Sequence, residues 1–250
     1  MSNKSFADIE YDYQLAEYSE RVLSRTTKNR CLYHYTKFTT FQNIVSSNEL
    51  RLFKPMDMND KAEQESIKGL SGIIFYSCFS LVPESAEMWK MYSENDNGCI
   101  LEINFESAKK MRNFPVLKAS SEEPLDKSLY DLEFNSVAYW SRSNITGTRY
   151  LKCMKGVNTK YKGSYESPVV AGMIKSEFWR FENEARLILR TKQEYKDDYF
   201  RLKLEHDFLN NCRIIISPFS SKATEEKIKD YCSDKHIPCR ESDYSGTINY

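Results

Sequence analysis

The amino-acid sequence predicts an α+β fold with a mixed or antiparallel β-sheet and flanking helices. Strand-like segments outnumber helical ones, and several follow one another directly, which argues against a regular alternation of strands and helices around a parallel sheet. Hydrophobic residues make up 40% and charged residues 29% of the 250 residues, which is enough apolar material for a core and too much for disorder. We expect one domain over residues 1–250, with an N-terminal helical extension over 1–28 and a core over 29–250.

Each element is predicted from hydrophobic periodicity and from the residues that cap helices or form turns. Apolar residues recur at helical spacing between Tyr11 and Val22, which predicts an amphipathic helix in the N-terminal extension. Thr39 or Thr40 is the expected N-cap of the next helix. The further elements expected are strands at 31–36, 50–53, 72–80, 99–105, 114–117, 134–139, 181–190, 199–204, 213–217 and 238–241, and helices from about 39, 61, 84 and 222.

Composition excludes several classes of protein. Lys and Arg number 36 and so do Asp and Glu, and this balance argues against a chain that coats nucleic acid by bulk charge. The sequence shows no signal peptide and no apolar run near the ~20 residues that span a bilayer, so we expect a cytoplasmic protein without membrane association. The eight glycines form no dinucleotide-binding or phosphate-binding loop, and the seven cysteines form no C-x-x-C pair, so we expect no bound metal.

The first candidate site is the segment Tyr33-His34-Tyr35-Thr36 at the end of a predicted strand. Side chains alternate along a strand, so His34 and Thr36 share one face and the two tyrosines share the other. An imidazole beside a hydroxyl can hold ribose hydroxyls, because both groups donate and accept hydrogen bonds. The alternative is a buried histidine whose ring is hydrogen-bonded to the backbone.

The second candidate site lies between the strand that ends at Ser80 and the helix that follows it. Trp89 and Tyr92 are three residues apart and lie on one helix face, where they can stack on a planar ring. Tyr76 and Ser80 lie on the strand, where a small hydroxyl can orient a carboxylate or contact a ligand. Ordinary packing of a helix on a sheet explains the same pattern.

The third candidate site is the run from Phe178 to Arg186. Interpreted as a strand, this run places Glu182, Glu184 and Arg186 on one face. Two neighbouring carboxylates suit a reaction with a cationic, oxocarbenium-like transition state. The alternative is a solvated face whose carboxylates are neutralised by Arg180 and Arg186.

The fourth candidate site is a basic stretch over 142–162 that contains no Asp or Glu. Aromatic residues lie within it and beside it, and cations interleaved with aromatic rings are typical of a path for single-stranded nucleic acid. A flexible, solvated loop is the alternative. The basic residues expected to contact nucleic acid are Arg142, Arg149, Lys152, Lys155, Lys160 and Lys162.

Taken in order, these motifs resemble the bacterial and phage family known as domain of unknown function 2971. The family pattern has L-Y-H/K-Y, N-D-P-x-E, C-F-S with M-W-x-x-Y, a Gly-led apolar strand, and a Lys followed by W-x-x-E-x-E-x-R. The matching residues are Leu32 to Tyr35, Asn59, Asp60, Glu63, Cys78 to Ser80, Met88, Trp89, Tyr92, Gly98, Ile100, Lys175, Trp179, Glu182, Glu184 and Arg186. The resemblance extends over nearly the whole chain after the first helix, and it departs from the pattern at Lys61, where the family has Pro.

The order of the motifs is also similar to that of the ADP-ribosyltransferase fold, in which a split sheet holds NAD without a glycine-rich loop. By that fold-level analogy, His34 and Thr36 hold the nicotinamide-side ribose, and Tyr76 or Trp89 stacks on nicotinamide. Ser80 orients the catalytic carboxylate, Glu184 stabilises the oxocarbenium ion and activates the acceptor, and Glu182 assists acceptor recognition. The cofactor-binding residues expected are His34, Tyr35, Thr36, Tyr76, Ser80, Trp89, Tyr92 and Arg186.

The function expected from this resemblance is NAD-dependent transfer of ADP-ribose to a macromolecule, in a toxin or in anti-phage defence. The basic stretch favours RNA or DNA over protein as the acceptor, and an antitoxin or a defence-system protein is the expected partner. A non-catalytic module that binds nucleic acid or nucleotide on the same fold is the main alternative. A metal-dependent nuclease that uses Asp60 and Glu63 is the second alternative, although these positions also suit a helix cap and its first turn.

Overall fold

A computed structural model describes residues 31–55, 60, 63–64, 70, 72–93, 95–140 and 172–247. The N-terminal helix predicted within 1–28 and the basic stretch over 142–162 lie outside the described residues. The six basic residues proposed to contact nucleic acid are all in that stretch, at Arg142, Arg149, Lys152, Lys155, Lys160 and Lys162.

The described residues form an α+β structure with a largely antiparallel sheet, as the sequence predicts. The strands are β1 (Cys31–Lys37), β2 (Glu49–Phe53), β3 (Ile74–Ser80), β4 (Gly98–Asn104), β5 (Val116–Lys118), β6 (Tyr130–Ser136), β7 (Ala138–Trp140), β8 (Ile174–Ser176), β9 (Glu184–Thr191), β10 (Tyr199–Lys203), β11 (Cys212–Ile216) and β12 (Cys239–Glu241). The α-helices are α1 (Phe38–Ser47), α2 (Ala86–Tyr92), α3 (Phe105–Lys110) and α4 (Lys222–Asp234).

Helix α1 begins earlier than its threonines predict. Its N-cap is Lys37, which makes no side-chain capping bond, so the expected N-cap role of Thr39 or Thr40 is wrong. Phe38 is 1% exposed and belongs to the main hydrophobic core, and burying this ring within the first turn outweighs a favourable cap.

Across the described part of the chain, no helix has the length and apolarity needed to cross a membrane.

The central strand of the sheet is β3, and its two edges differ. One edge pairs antiparallel with β9 over seven residue pairs, from Ile74–Arg190 to Ser80–Glu184. The other edge is shared, since it meets β1 at Tyr33–Ser80 and β2 at Phe53–Tyr76. The sheet therefore branches along β3, and β1 separates from β3 between Ser80 and Tyr76, where β2 becomes the neighbouring strand.

The two faces of the sheet carry different residues. On one face, the apolar side chains of β3 and β9, such as Phe75, Phe79 and Leu187, enter the main hydrophobic core. The other face carries Cys78, Ser80, Glu184 and Arg186 in alternation with those residues, and Arg186 is 0% exposed. Buried charge is therefore confined to one face of the central strands.

The segment from 177 to 182 is a 3₁₀ helix (Glu177–Glu182) and not the first part of a strand. The prediction that Glu182 shares a strand face with Glu184 and Arg186 is therefore wrong for Glu182. Asn183 follows with φ 42°, a left-handed conformation that Asn tolerates better than most residues. Strand β9 begins only after this turn, at Glu184.

Gly98 begins β4 where the chain comes very close to the end of α2. A Cβ atom at this position would lie 2.0 Å from Ser93 Cβ and 2.7 Å from the Ser93 carbonyl oxygen. The contacted atoms include backbone, which cannot rotate away, so only glycine fits here. This close contact explains why residue 98, at the start of the apolar strand β4, is a glycine.

We predict that Gly98→Ala lowers the free energy of unfolding by about 1–3 kcal/mol, because the added methyl group overlaps Ser93. Urea denaturation measures the change. Gly246→Asn is the control, because Gly246 has φ 73°, which Asn tolerates, and a Cβ atom there meets nothing within 4 Å. A stability of Gly98→Ala equal to that of the control would contradict the close contact.

Candidate functional site

A pocket opens on the charged side of the sheet, beside the point where β1 leaves β3. Its cavity volume is about 130 Å³, enough for part of a small ligand. Aromatic and apolar side chains alternate in its lining with two carboxylates and one ammonium group. The lining residues are Tyr33, Tyr35, Cys78, Phe79, Ser80, Met88, Tyr92, Lys175, Glu182 and Glu184.

Two glutamates meet at one lysine in this pocket. Lys175 of β8 donates a hydrogen bond to Glu182 Oε2, and its Nζ lies 3.4 Å from Glu184 Oε2. The left-handed turn at Asn183 makes the meeting possible, because it joins the end of the 3₁₀ helix to the start of β9. All three charged side chains are at most 5% exposed.

Arg186 connects Glu184 to a second carboxylate deeper in the protein. Its Nε and Nη2 donate to the two oxygens of Glu184 at 2.7 and 2.9 Å. Its Nη1 and Nη2 also donate to the two oxygens of Glu63, the latter at 3.0 Å. The planar guanidinium matches both carboxylates in bidentate fashion, a geometry that lysine cannot provide.

Further contacts complete the surroundings of Arg186. Nη1 donates to the carbonyl oxygen of Gly172 at 2.7 Å, and the guanidinium carbon lies 4.5 Å from the centre of the Tyr76 ring. The Tyr76 hydroxyl donates to Glu63 Oε1 at 3.0 Å. Arg186 is thus surrounded by acceptors and by an aromatic face, which compensate for its complete removal from water.

Among the described residues, the site carries one more carboxylate than cation. Glu63, Glu182 and Glu184 face Arg186 and Lys175, so the cluster has a net negative charge when all five groups are ionised. Burial opposes the ionisation of Glu184, but Arg186 and Lys175 outweigh it and lower the pKa of Glu184 to about 2. Burial and the neighbouring Glu184 charge raise the pKa of Glu182 above its ordinary value. Glu182 is therefore the carboxylate of the pair that accepts a proton more easily.

Two hydroxyl groups orient Glu182. The Tyr92 hydroxyl donates to Glu182 Oε1 at 2.5 Å, and the Ser80 hydroxyl donates to the Glu182 main-chain carbonyl at 2.8 Å. Ser80 also accepts a hydrogen bond from the Val82 amide. Ser80 therefore fixes the backbone that carries the carboxylate, and its hydroxyl makes no recorded bond to the carboxylate itself.

His34 fills the gap where β1 and β3 separate. Its Nδ1–H donates to the Cys78 carbonyl oxygen at 2.8 Å, in place of a strand-to-strand hydrogen bond. Burial lowers the pKa of His34, which favours the neutral ring, in which Nε2 is the acceptor nitrogen. His34 and Thr36 lie on the opposite side of β1 from Tyr33 and Tyr35, and it is the two tyrosines that line the pocket.

Trp89 and Tyr76 are packed inside the protein. Trp89 is 0% exposed, its indole N–H donates to Glu84 Oε2 at 3.1 Å, and its ring meets Tyr35 edge to face. Tyr76 is 3% exposed, with Arg186 over its ring. Neither ring has a face open to a ligand, so the expected stacking of Tyr76 or Trp89 on nicotinamide does not fit this structure.

The structure therefore brings part of the predicted set together. The predicted residues that line the pocket are Tyr35, Ser80, Tyr92, Glu182 and Glu184. Those that lie outside its lining are His34, Thr36, Tyr76, Trp89 and Arg186.

The sequence identified Lys175 only as part of the family pattern, and it identified Glu63 only there and in the nuclease alternative. Lys175 could have been identified as a site residue because it lies just before the W-x-x-E-x-E-x-R motif. A buried pair of carboxylates needs a nearby cation, and Lys175 is a candidate for it. Met88 was also missed, although it lies four residues before Tyr92 and so shares its helix face.

No group of three or more potential metal ligands occurs among the described residues. Asp60 accepts hydrogen bonds from the Glu63 and Ser176 amides, and Glu63 binds Arg186, so both carboxylates have structural partners. The aromatic and anionic lining suits a planar organic cation instead, through ring faces and a net negative charge.

We predict that Arg186→Met lowers the free energy of unfolding by about 3–5 kcal/mol, because it leaves Glu63 and Glu184 buried without their cation. Thermal and urea denaturation measure the loss. Arg180→Met is the matched control, since Arg180 pairs with Glu177 at the surface and its loss is expected to change stability little. Equal stabilities of the two variants would show that the buried pairs contribute nothing.

Comparison with known proteins supports the family resemblance. The model of the family described as "Protein of unknown function (DUF2971)" matches residues 88–187. No curated protein and no solved structure gives a significant match. The matched span runs from helix α2 to strand β9 and contains Tyr92, Lys175, Glu182, Glu184 and Arg186. The resemblance to the DUF2971 family, predicted from the order of the motifs, is thus confirmed over the segment that carries most of the charged residues of the pocket.

Proposed function

We propose that this protein binds NAD in the pocket and transfers ADP-ribose to a macromolecule. The observation that carries the proposal is the pair of carboxylates, Glu182 and Glu184, held together inside an aromatic pocket. A toxin or a component of anti-phage defence is the proposed biological setting, with an antitoxin or another defence protein as a partner.

The proposed reaction develops positive charge next to these carboxylates. The bond between the ribose C1′ and the nicotinamide nitrogen breaks, its electron pair goes to nicotinamide, and an oxocarbenium ion forms. An acceptor nucleophile then bonds to C1′ and gives up its proton. A net negative pocket in a low-dielectric environment stabilises such a cation, which is how electrostatic catalysis lowers a barrier. Glu184 stabilises the oxocarbenium ion, and Glu182, whose pKa is raised, takes part in proton transfer with the acceptor.

The aromatic lining supports binding of the nicotinamide ring. In NAD this ring is a planar cation, and Tyr35 and Tyr92 of the pocket lining offer ring surface for it. These tyrosines replace Tyr76 and Trp89 as the proposed stacking residues, because the latter are buried. The imidazole of His34 presents its acceptor nitrogen on the other side of β1, so it takes no part in this proposal.

The branching of the sheet along β3 supports the analogy with the ADP-ribosyltransferase fold, in which NAD lies in the cleft of a split sheet. In this protein β1 and β3 share one residue pair and then separate beside the pocket. The analogy is one of fold, and the choice of NAD as the substrate rests on it together with the chemistry of the pocket.

Nucleic acid is the favoured acceptor in this proposal, and protein is the alternative. The sequence between β7 and β8 contains the basic stretch over 142–162, which is rich in Lys, Arg and Tyr. The stretch ends at residue 162, and the next strand described after it in the sequence is β8 (Ile174–Ser176), which carries Lys175 of the pocket. Cations interleaved with aromatic rings suit a phosphate backbone with stacked bases.

A non-catalytic module that binds nucleotide or nucleic acid is the second candidate. The observation that favours it is the ion pairing of Glu182 and Glu184 with Lys175 and Arg186, since a fully paired network is also what a structural role requires. In that case the pocket binds a nucleotide without cleaving it.

We predict that the wild-type protein releases nicotinamide from NAD and labels RNA, DNA or protein of a cell extract with ADP-ribose. Glu184→Gln and Glu182→Gln are expected to lower nicotinamide release by about 100- to 1,000-fold, because each removes negative charge from the pocket. Radiolabelled NAD, followed by nuclease or protease digestion, identifies the acceptor.

Glu177→Gln is the matched control, because Glu177 lies on the same 3₁₀ helix but pairs with Arg180 at the surface. Its activity is expected to equal that of the wild type, and circular dichroism checks the fold of each variant. Binding of NAD without nicotinamide release would favour the non-catalytic module. The absence of both NAD binding and nicotinamide release would refute the proposed function.

A further inference from the structure

Lys175 is almost completely removed from water, although its ammonium group carries a charge. Its side chain is 3% exposed, and its Nζ contacts Glu182, Glu184 and the face of Trp179, with 4.9 Å to the centre of that ring. Burial opposes its charge, but the two carboxylates outweigh burial and raise the pKa of Lys175. The lysine is therefore a fixed cation and not an amine nucleophile.

The surroundings of Glu182 contain few groups that can neutralise it. The Tyr92 hydroxyl donates to its Oε1, whereas the Lys175 ammonium donates to its Oε2. The positive charge of Arg186 is directed at Glu63 and Glu184. Of the described residues, the titratable and charged groups that line the pocket with Glu182 or act on it are Tyr33 and Tyr35 on β1, Cys78 on β3, Tyr92 on α2, Tyr139 on β7, Lys175 on β8 and Glu184 on β9, which pairs with Arg186.

We propose that Lys175 is a positioning residue, which keeps the Glu182 carboxylate ionised and fixed beside Glu184 in the pocket. The two carboxylates repel each other, and burial makes each charge costly, so a shared cation is needed to hold them together. Lys175 occupies that position because β8 runs beside β7 and leads into the 3₁₀ helix that ends at Glu182. Its role is electrostatic, and it does not contact the reacting bond.

Removal of the Lys175 charge is expected to change the protonation of Glu182. Without the ammonium group, Glu182 faces Glu184 in a buried site, and among the described residues the neutral Tyr92 hydroxyl is the remaining hydrogen-bond donor to its carboxylate. Glu182 then takes up a proton at neutral pH, and the pocket loses one negative charge. Because the pKa of Glu182 is higher in such a variant, the Glu182 carboxylate regains its negative charge only when the pH rises above the new pKa.

The test uses the full chain with ¹³C at the glutamate side-chain carboxyl carbons, followed by nuclear magnetic resonance as the pH is varied. The Glu182 signal is assigned by its absence in Glu182→Gln. Lys175→Met removes the charge and keeps the length of the side chain, whereas Lys175→Arg keeps the charge. Lys175→Gln, which keeps a hydrogen-bond donor, is a second neutral variant in case Lys175→Met does not fold.

In the neutral variants, the titration midpoint of Glu182 is expected to rise by about one to three pH units, and in Lys175→Arg it is expected to stay near that of the wild type. Lys109→Met is the control, because Lys109 pairs with Glu106 at the surface. If the Glu182 midpoint is the same in the wild type and in a folded neutral variant, Lys175 does not control its ionisation and the proposal is overturned.

The consequence for activity rests on the proposed function and is measured separately. The acid limb of the pH profile for nicotinamide release is expected to move upward in the neutral variants by the same interval as the Glu182 midpoint. A purely structural role would lower activity equally at every pH, and that result would overturn the proposal. If the wild-type protein releases no nicotinamide, the proposed function fails, whereas the titration of Glu182 still decides the role of Lys175.

Discussion

The pairing of buried charge is the constraint on which the rest of this structure depends. Glu63, Arg186, Glu184, Lys175 and Glu182 form one continuous chain of ion pairs that is almost excluded from water. Two like charges inside a protein repel strongly unless cations separate them. The sheet, the 3₁₀ helix and the segment that carries Glu63 must therefore keep their relative positions, because each supplies a member of the chain.

This constraint also explains why the pocket lies where it does. The side chains on one face of β3 and β9 enter the hydrophobic core. The polar side chains, which alternate with them along the strands, therefore lie on the other face. The departure of β1 from β3 then exposes this polar face at the pocket, where Tyr33 and Tyr35 form the side of the opening. A charged cluster that would otherwise be sealed between strands thus gains access to a ligand.

Much of the fold could be predicted because it follows from local patterns. The strand-like runs at Ile74–Ser80 and Cys212–Ile216 identify strands without reference to the rest of the chain. The start of α1 could not be predicted, since the burial of Phe38 against distant residues decides it. Likewise, the E-x-E pattern showed that two carboxylates are neighbours, but the choice between a strand and a 3₁₀ helix at 177–182 depends on contacts that sequence spacing does not contain.

The left-handed turn at Asn183 determines which elements carry the two carboxylates of the pocket. Because of this turn, the two carboxylates of the pocket lie on different elements. Glu182 is the last residue of a short 3₁₀ helix, and Glu184 is the first residue of a strand in the central sheet. The distance between the carboxylates is then set by how the helix packs against the sheet, and not by the fixed spacing of residues within one strand. Substitutions at the contact between this helix and the sheet would therefore alter the chemistry of the pocket, whereas substitutions in β9 would disrupt the sheet itself.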